Sequence, residues 1–126
     1  MTLLQLLVLA VAGGAGAGAR YVVTWAVAAR SPRSGFPWGT TIVNLTGSLV
    51  LGCLVGLASG DRTASDVAVT VGAGFLGGYT TFSAASFETV TLIREKHYGL
   101  AATYGLGVLV AAVALALLGC AWGRSL

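Results

Sequence analysis

Four long apolar runs follow one another along the chain, parted by short polar clusters. Leu3 to Ala29 is apolar apart from Gln5, Arg20 and Thr24, and it ends at Arg30, Ser31, Pro32, Arg33, Ser34 and Gly35. Pro37 is suited to the first turn of the next run, which Trp38 opens at an interface and Gly60, Asp61 and Arg62 close. Arg94, Glu95, Lys96 and His97 separate the third run from the fourth, which ends before Arg124, Ser125 and Leu126. A helix rising ~1.5 Å per residue crosses a hydrocarbon core of ~30 Å in about 20 residues. The pattern therefore predicts an all-α integral membrane protein, one membrane domain over residues 1–126, with spans at 3–29, 38–59, 67–93 and 98–122. The third run is the exception within. Gly72, Gly74, Gly77, Gly78, Thr80, Thr81 and Ser83 are poor helix formers, and a break is expected between Phe75 and Phe82.

Composition narrows the class further. With 56% hydrophobic and 9% charged residues, and a mean hydropathy of +0.88, the chain cannot cover a water-exposed surface. Its net charge of +3 comes from basic residues scattered singly or in pairs, which suits loop and headgroup anchors rather than nucleic acid. Cys53 and Cys120 lie in apolar runs without metal-ligand spacing and read as small buried hydrophobes. The stretch from Met1 to Ala19 lacks a basic leader and is expected to stay as part of the first span. Among nineteen glycines, pairs such as Gly14 with Gly18 and Gly52 with Gly56 allow helix backbones to approach closely in lipid. So small a bundle can hardly enclose an aqueous path alone, so a channel or transporter built from it is expected to be at least dimeric.

Three polar features stand at membrane depth, where each needs a partner or a function. Arg20, beside Tyr21, either snorkels or pairs structurally, or attracts anions in a vestibule. Thr40, Asn44 and Ser48 share one helix face, serving as interhelical glue or, through the two amide donors of Asn44, facing a small anion. The broken segment from Gly77 to Glu88 either exposes backbone carbonyls to a cation or cavity, or is a kink satisfied by neighbouring helices. Glu88 itself, shortly before Arg94, reads as an interfacial ion pair or cap. No catalytic set emerges: His97 lies in a charged loop with no cysteine near it, and an enzyme is not expected.

These residues, taken together, resemble the Fluc, or CrcB-type, family of bacterial fluoride channels over essentially the whole chain. The glycine-rich stretch ending in Arg20 and Tyr21, Asn44 with Gly47 and Gly52, and Gly77, Gly78, Thr80, Thr81, Phe82 and Ser83 agree with its motifs in order and spacing. The resemblance implies an antiparallel, dual-topology dimer in the bacterial inner membrane that lowers cytoplasmic fluoride by passive efflux. It further implies a structural sodium ion on the backbone carbonyls of Gly77 and Thr80 from each chain. Fluoride would pass Asn44, Phe82, Ser83, Thr40 and Tyr104, with Arg20 at a vestibule. The ring edge of Phe82 is electropositive through its quadrupole, and narrow paths with weak fixed donors select small anions.

Departures from the family pattern also matter. Ala85 stands where a second phenylalanine is usual, Ala84 replaces a hydroxyl residue, and Val108 and Ala112 replace serines after Tyr104. The first and third loops carry Arg30, Arg33, Arg94 and Lys96 against Arg62 and Arg124 opposite, a mild bias to one orientation. Bias and altered pore positions together raise a heterodimer with a homologous, oppositely inserted subunit beside the homodimer. Two rival functions fit a small helical membrane protein less well. A small multidrug-type exporter needs a carboxylate deep in the membrane, and the first span has none. A nonconducting assembly subunit would account for the glycines but not for Asn44 together with the broken helix.

Overall fold

The computed structural model describes residues 2–31, 35–59 and 66–126. Helix α1 spans Leu3–Arg30, α2 Trp38–Ser59, α3 Asp66–Tyr79, α4 Phe82–Arg94, α5 Tyr98–Ala102 and α6 Val108–Ser125, with a π turn at Thr103–Gly107 joining the last two. The third apolar run is thus α3 plus α4, and the fourth is α5, the π turn and α6. Among the described residues, four stretches are long and apolar enough to cross a membrane.

Local chemistry sets the ends. Thr2 caps α1 reciprocally: its hydroxyl accepts from the Gln5 amide at 3.2 Å and its own amide donates to Gln5 Oε1 at 2.8 Å. Ser31 closes α1 in an extended conformation, as a residue preceding proline prefers. Before α2, the Pro37 carbonyl accepts from both the amide and the hydroxyl of Thr41. Helix α4 ends in a Schellman motif: His97 N–H bonds the Leu92 carbonyl at 2.9 Å and Lys96 N–H the Ile93 carbonyl at 3.0 Å. Lys96 holds the left-handed position there, at φ 63°.

Two parallel helix pairs dominate the packing, α1 with α3 and α2 with α6. Both are seamed by glycine. A Cβ on Gly78 would overlap the Gly13 carbonyl, and one on Gly16 the Phe75 carbonyl, so α1 and α3 touch backbone to backbone. In the second pair, Gly52 and Gly56 meet the carbonyls of Ala116 and Cys120, while Gly119 and Gly123 meet those of Leu49 and Cys53. Small residues spaced four apart thus act in both directions across one seam. Gly52 and Gly56 serve close approach as expected, but Gly14 and Gly18 have nothing within 4 Å of a built Cβ. On α1 it is Gly16 that does that work, while Gly13 offers the backbone that Gly78 meets, because the run from Gly13 to Ala19 offers small residues in every register.

At the end of the bundle formed by the first and third loops, Leu92, Ala101 and Tyr104 form a small buried cluster, with Phe36, Ala85, Leu100 and Val108 packed against it. The ring of Phe36 meets Tyr104 edge-on, centroids 5.4 Å apart. Much of the remaining apolar surface is exposed on single helix faces, as a lipid-facing chain requires.

Candidate ion-path site

The break in the third span falls at Thr80 and Thr81, between α3 and α4. Asn44 holds it there. Its Nδ2 donates to the Thr81 carbonyl at 2.9 Å and its Oδ1 accepts from the Thr81 amide at 2.8 Å. The side-chain amide thereby replaces a peptide group for the broken backbone, and one of its two N–H donors is committed. Thr81 Oγ1 caps α4 by accepting from the Ala84 amide at 3.2 Å. The approach of the break to α2 depends on Gly47, where a Cβ would overlap Thr80 Cγ2.

The carbonyls of Gly77 and Thr80 are among those that leave the helical ladder here. The Thr81 amide, which would close a turn on Gly77, goes to Asn44, and the Ala84 amide, four residues after Thr80, goes to the Thr81 hydroxyl. Gly77 stands on an open face, with nothing within 4 Å of a built Cβ. Hard oxygen donors of this kind suit an alkali cation, whereas no group of three or more His, Cys, Asp or Glu side chains occurs among the described residues.

Glu88 differs from its expected role as an interfacial ion pair or cap. Its Oε1 accepts from Thr40 Oγ1 at 2.7 Å and its Oε2 from the Tyr104 hydroxyl at 3.1 Å. The carboxylate thus ties α2, α4 and the π turn together towards the end of the bundle formed by the first and third loops. Tyr104 is 1% exposed and Thr40 6%, so the cluster is largely closed from outside. The only ion pair among the described residues joins His97 to Glu95. Glu88 was detectable from sequence as the one carboxylate inside the third apolar run, but its partners are remote in the chain.

The π turn accounts for the aim of Tyr104. At about 100° per residue, an unbroken α-helix would place Tyr104 roughly 110° away from the mean direction of Ala116, Gly119, Cys120 and Gly123, the stripe that packs on α2. An i to i+5 turn accommodates one extra residue, which brings that angle to roughly 10°. Tyr104 then faces α2 and α4 while the glycine seam below keeps its own contact.

Beside these elements lies a groove of about 780 Å³, open on one side and mostly apolar. Asn44, Ser48, Thr81, Phe82 and Tyr104 border it, and so do three of the departures, Ala85, Val108 and Ala112. Phe82 is 82% exposed at its edge. Ser83 is also exposed, 3.3 Å from the Thr81 hydroxyl, and does not border the groove. Thr40 lies behind it in the Glu88 cluster, and Arg20, half-buried on α1, is remote from it. Of the sequence-derived path residues, the structure therefore gathers Asn44, Phe82 and Tyr104 along one wall, with Thr40 behind and joined to Tyr104 through Glu88.

Fold and site define a multi-pass helical membrane protein with a broken span next to a half-open, weakly polar groove. The family model for "CrcB-like protein, Camphor Resistance (CrcB)" matches residues 7–120. The chain belongs to that family, and it is a multi-pass bacterial membrane protein and not an enzyme. It is 45% identical over 119 residues to fluoride-specific ion channel FluC 1 of Leifsonia xyli subsp. xyli, covering 94% of this chain and 86% of that one. It is 43% identical to FluC 1 of Symbiobacterium thermophilum, covering 90% and 94%, and 37% identical to the fluoride-specific channel FluC of Agrobacterium fabrum, covering 98% and 99%.

Proposed function

We propose that this chain conducts fluoride passively out of the cytoplasm as one half of an antiparallel, dual-topology dimer. The observation that carries the reading is the groove beside the helix break: it holds Asn44, Phe82 and Tyr104 on one wall and is open on the other. One chain cannot enclose an ion there, and a second, inverted chain would. Relatives with 37–45% identity that are named fluoride-specific channels give the ion.

In such an assembly the uncommitted N–H of Asn44 and the exposed ring edge of Phe82 offer weak positive ends to a small anion. The hydroxyl of Ser83 adds a donor at the edge, and the Tyr104 to Glu88 to Thr40 cluster bounds one end of the path. Arg20 remains the vestibule candidate on α1. A structural sodium ion fits the donors available: the carbonyls of Gly77 and Thr80, released by Asn44 and Thr81, would hold it together with those of the other chain. When bound it would supply a fixed charge that keeps the two helix breaks together.

The second chain is either another copy or a homologous subunit inserted the other way. Ala85, Val108 and Ala112 leave this groove wall apolar where the family pattern is aromatic or hydroxylated, which favours a partner that supplies the missing groups. Of the residues behind the charge bias, Arg33 and Arg62 lie outside the described residues. The test is fluoride efflux from liposomes, read with a fluoride electrode and a chloride control, for the purified chain alone and with a candidate partner. Rapid selective flux from the chain alone establishes the homodimer, and flux only with a partner the heterodimer. Absence of flux in both overturns the channel reading in favour of a nonconducting subunit.

A further inference from the structure

A second concavity lies between α1 and α2 at the loop end, remote from the groove. It measures about 470 Å³, is almost wholly apolar, and is lined by Ala26, Val27, Arg30, Ser31, Trp38 and Ile42. On α2, Trp38 and Ile42 stand about 130° round the helix from Asn44, Ser48 and Leu51, which border the groove. Covering the groove with a second chain therefore leaves this cleft turned towards lipid, whatever ion the groove carries.

Its chemistry is layered along the membrane normal. Arg30 sits at the last turn of α1, where its Nη1 reaches the Ala26 carbonyl at only 3.4 Å, leaving most of the guanidinium free. No described carboxylate pairs with it. Trp38, 42% exposed, lies at the start of α2, at the depth where indoles prefer the headgroup boundary. Below them Val27 and Ile42 form an apolar floor. The hydroxyl of Ser31 is taken by the Val27 carbonyl at 2.6 Å, so the guanidinium is the principal polar attraction.

We propose that this cleft binds one anionic diacyl phospholipid, its phosphate on Arg30, its glycerol level with Trp38 and one acyl chain over Val27 and Ile42. A cation without a neighbouring carboxylate selects against choline and ethanolamine headgroups, whose own ammonium finds no partner. Arg94 and Lys96, on the same side of the membrane, reinforce that sign. Basic sites at membrane-helix ends are suited to acidic headgroups.

The test uses the full chain with Trp25 and Trp122, both exposed, changed to Phe, so that Trp38 is the sole indole. It is reconstituted in phosphatidylcholine vesicles containing increasing brominated phosphatidylglycerol or, separately, brominated phosphatidylcholine. Trp38 is expected to be quenched at about fivefold lower mole fraction of the anionic lipid, the ratio that about one cation near the surface contributes. Arg30→Gln should abolish the preference, while Arg94→Gln with Lys96→Gln should keep most of it. Equal quenching by the two lipids overturns the proposal, as does a preference that survives Arg30→Gln or vanishes only with the Arg94 and Lys96 changes.

Discussion

Replacing Asn44 by Ala removes the side chain that carries both hydrogen bonds to Thr81. If each bond is worth the ~0.6 kcal/mol average measured between membrane helices, the loss is only about 1 kcal/mol. Thr81, however, is 9% exposed, so water does not readily take over either partner. A buried peptide N–H or carbonyl left unpaired costs ~1–3 kcal/mol, and the expected destabilisation is about 2–4 kcal/mol. Purified protein would be unfolded reversibly in mixed micelles and followed by circular dichroism. Ser48→Ala is the control: it borders the same groove and should shift stability by less than about 0.5 kcal/mol. An Asn44→Ala protein as stable as the parent, with flux lost all the same, would refute the clamp and leave Asn44 as a pure ion contact.

Phe82→Ala should behave oppositely, since an 82% exposed ring supports little within its own chain: fluoride flux in the liposome assay falls at least tenfold, about 1.4 kcal/mol, while helix content is retained. Deleting Leu106, exposed in the π turn, restores α geometry and swings Tyr104 by about 100°, so the Tyr104 to Glu88 bond is lost; thermal stability in detergent and flux should both fall, and a deletion protein with parental stability would contradict the assigned role of the turn. Lys96→Gly should raise stability by about 1 kcal/mol, because a side chain in the left-handed region costs ~1–2 kcal/mol that glycine does not incur, as measured by the same reversible unfolding.

How much of this was legible in the sequence depends on the range of the interaction concerned. The spans could be read because hydrocarbon thickness acts on contiguous residues, and Pro32, Pro37 and the charged clusters mark their ends locally. The break was legible in kind from Gly77, Gly78, Thr80 and Thr81, but its position is fixed by Asn44 from another helix. Glu88, shortly before Arg94, reads from sequence as an interfacial ion pair or cap, since proximity suggests a local partner, while the fold brings Thr40 and Tyr104 to it. The π turn left no signal: Thr103–Gly107 has ordinary apolar and small residues, and only the angular mismatch between Tyr104 and the Gly119 seam requires it. Likewise, Gly14 and Gly18 have the four-residue spacing for close packing, yet α3 approaches Gly16, and only the α3 backbone distinguishes the two registers.

The two glycine seams join helices that are not neighbours along the chain: α1 meets α3, and α2 meets α6. During synthesis the first span must therefore wait in lipid, with only its lesser contact to α2, until the third has been inserted. The second span waits for Gly119 and Gly123 of the fourth. The pairings interlock, so no early hairpin can bring either seam together. A truncation in the fourth span before Gly119 therefore leaves α1 and α3 able to close and α2 without its full mate.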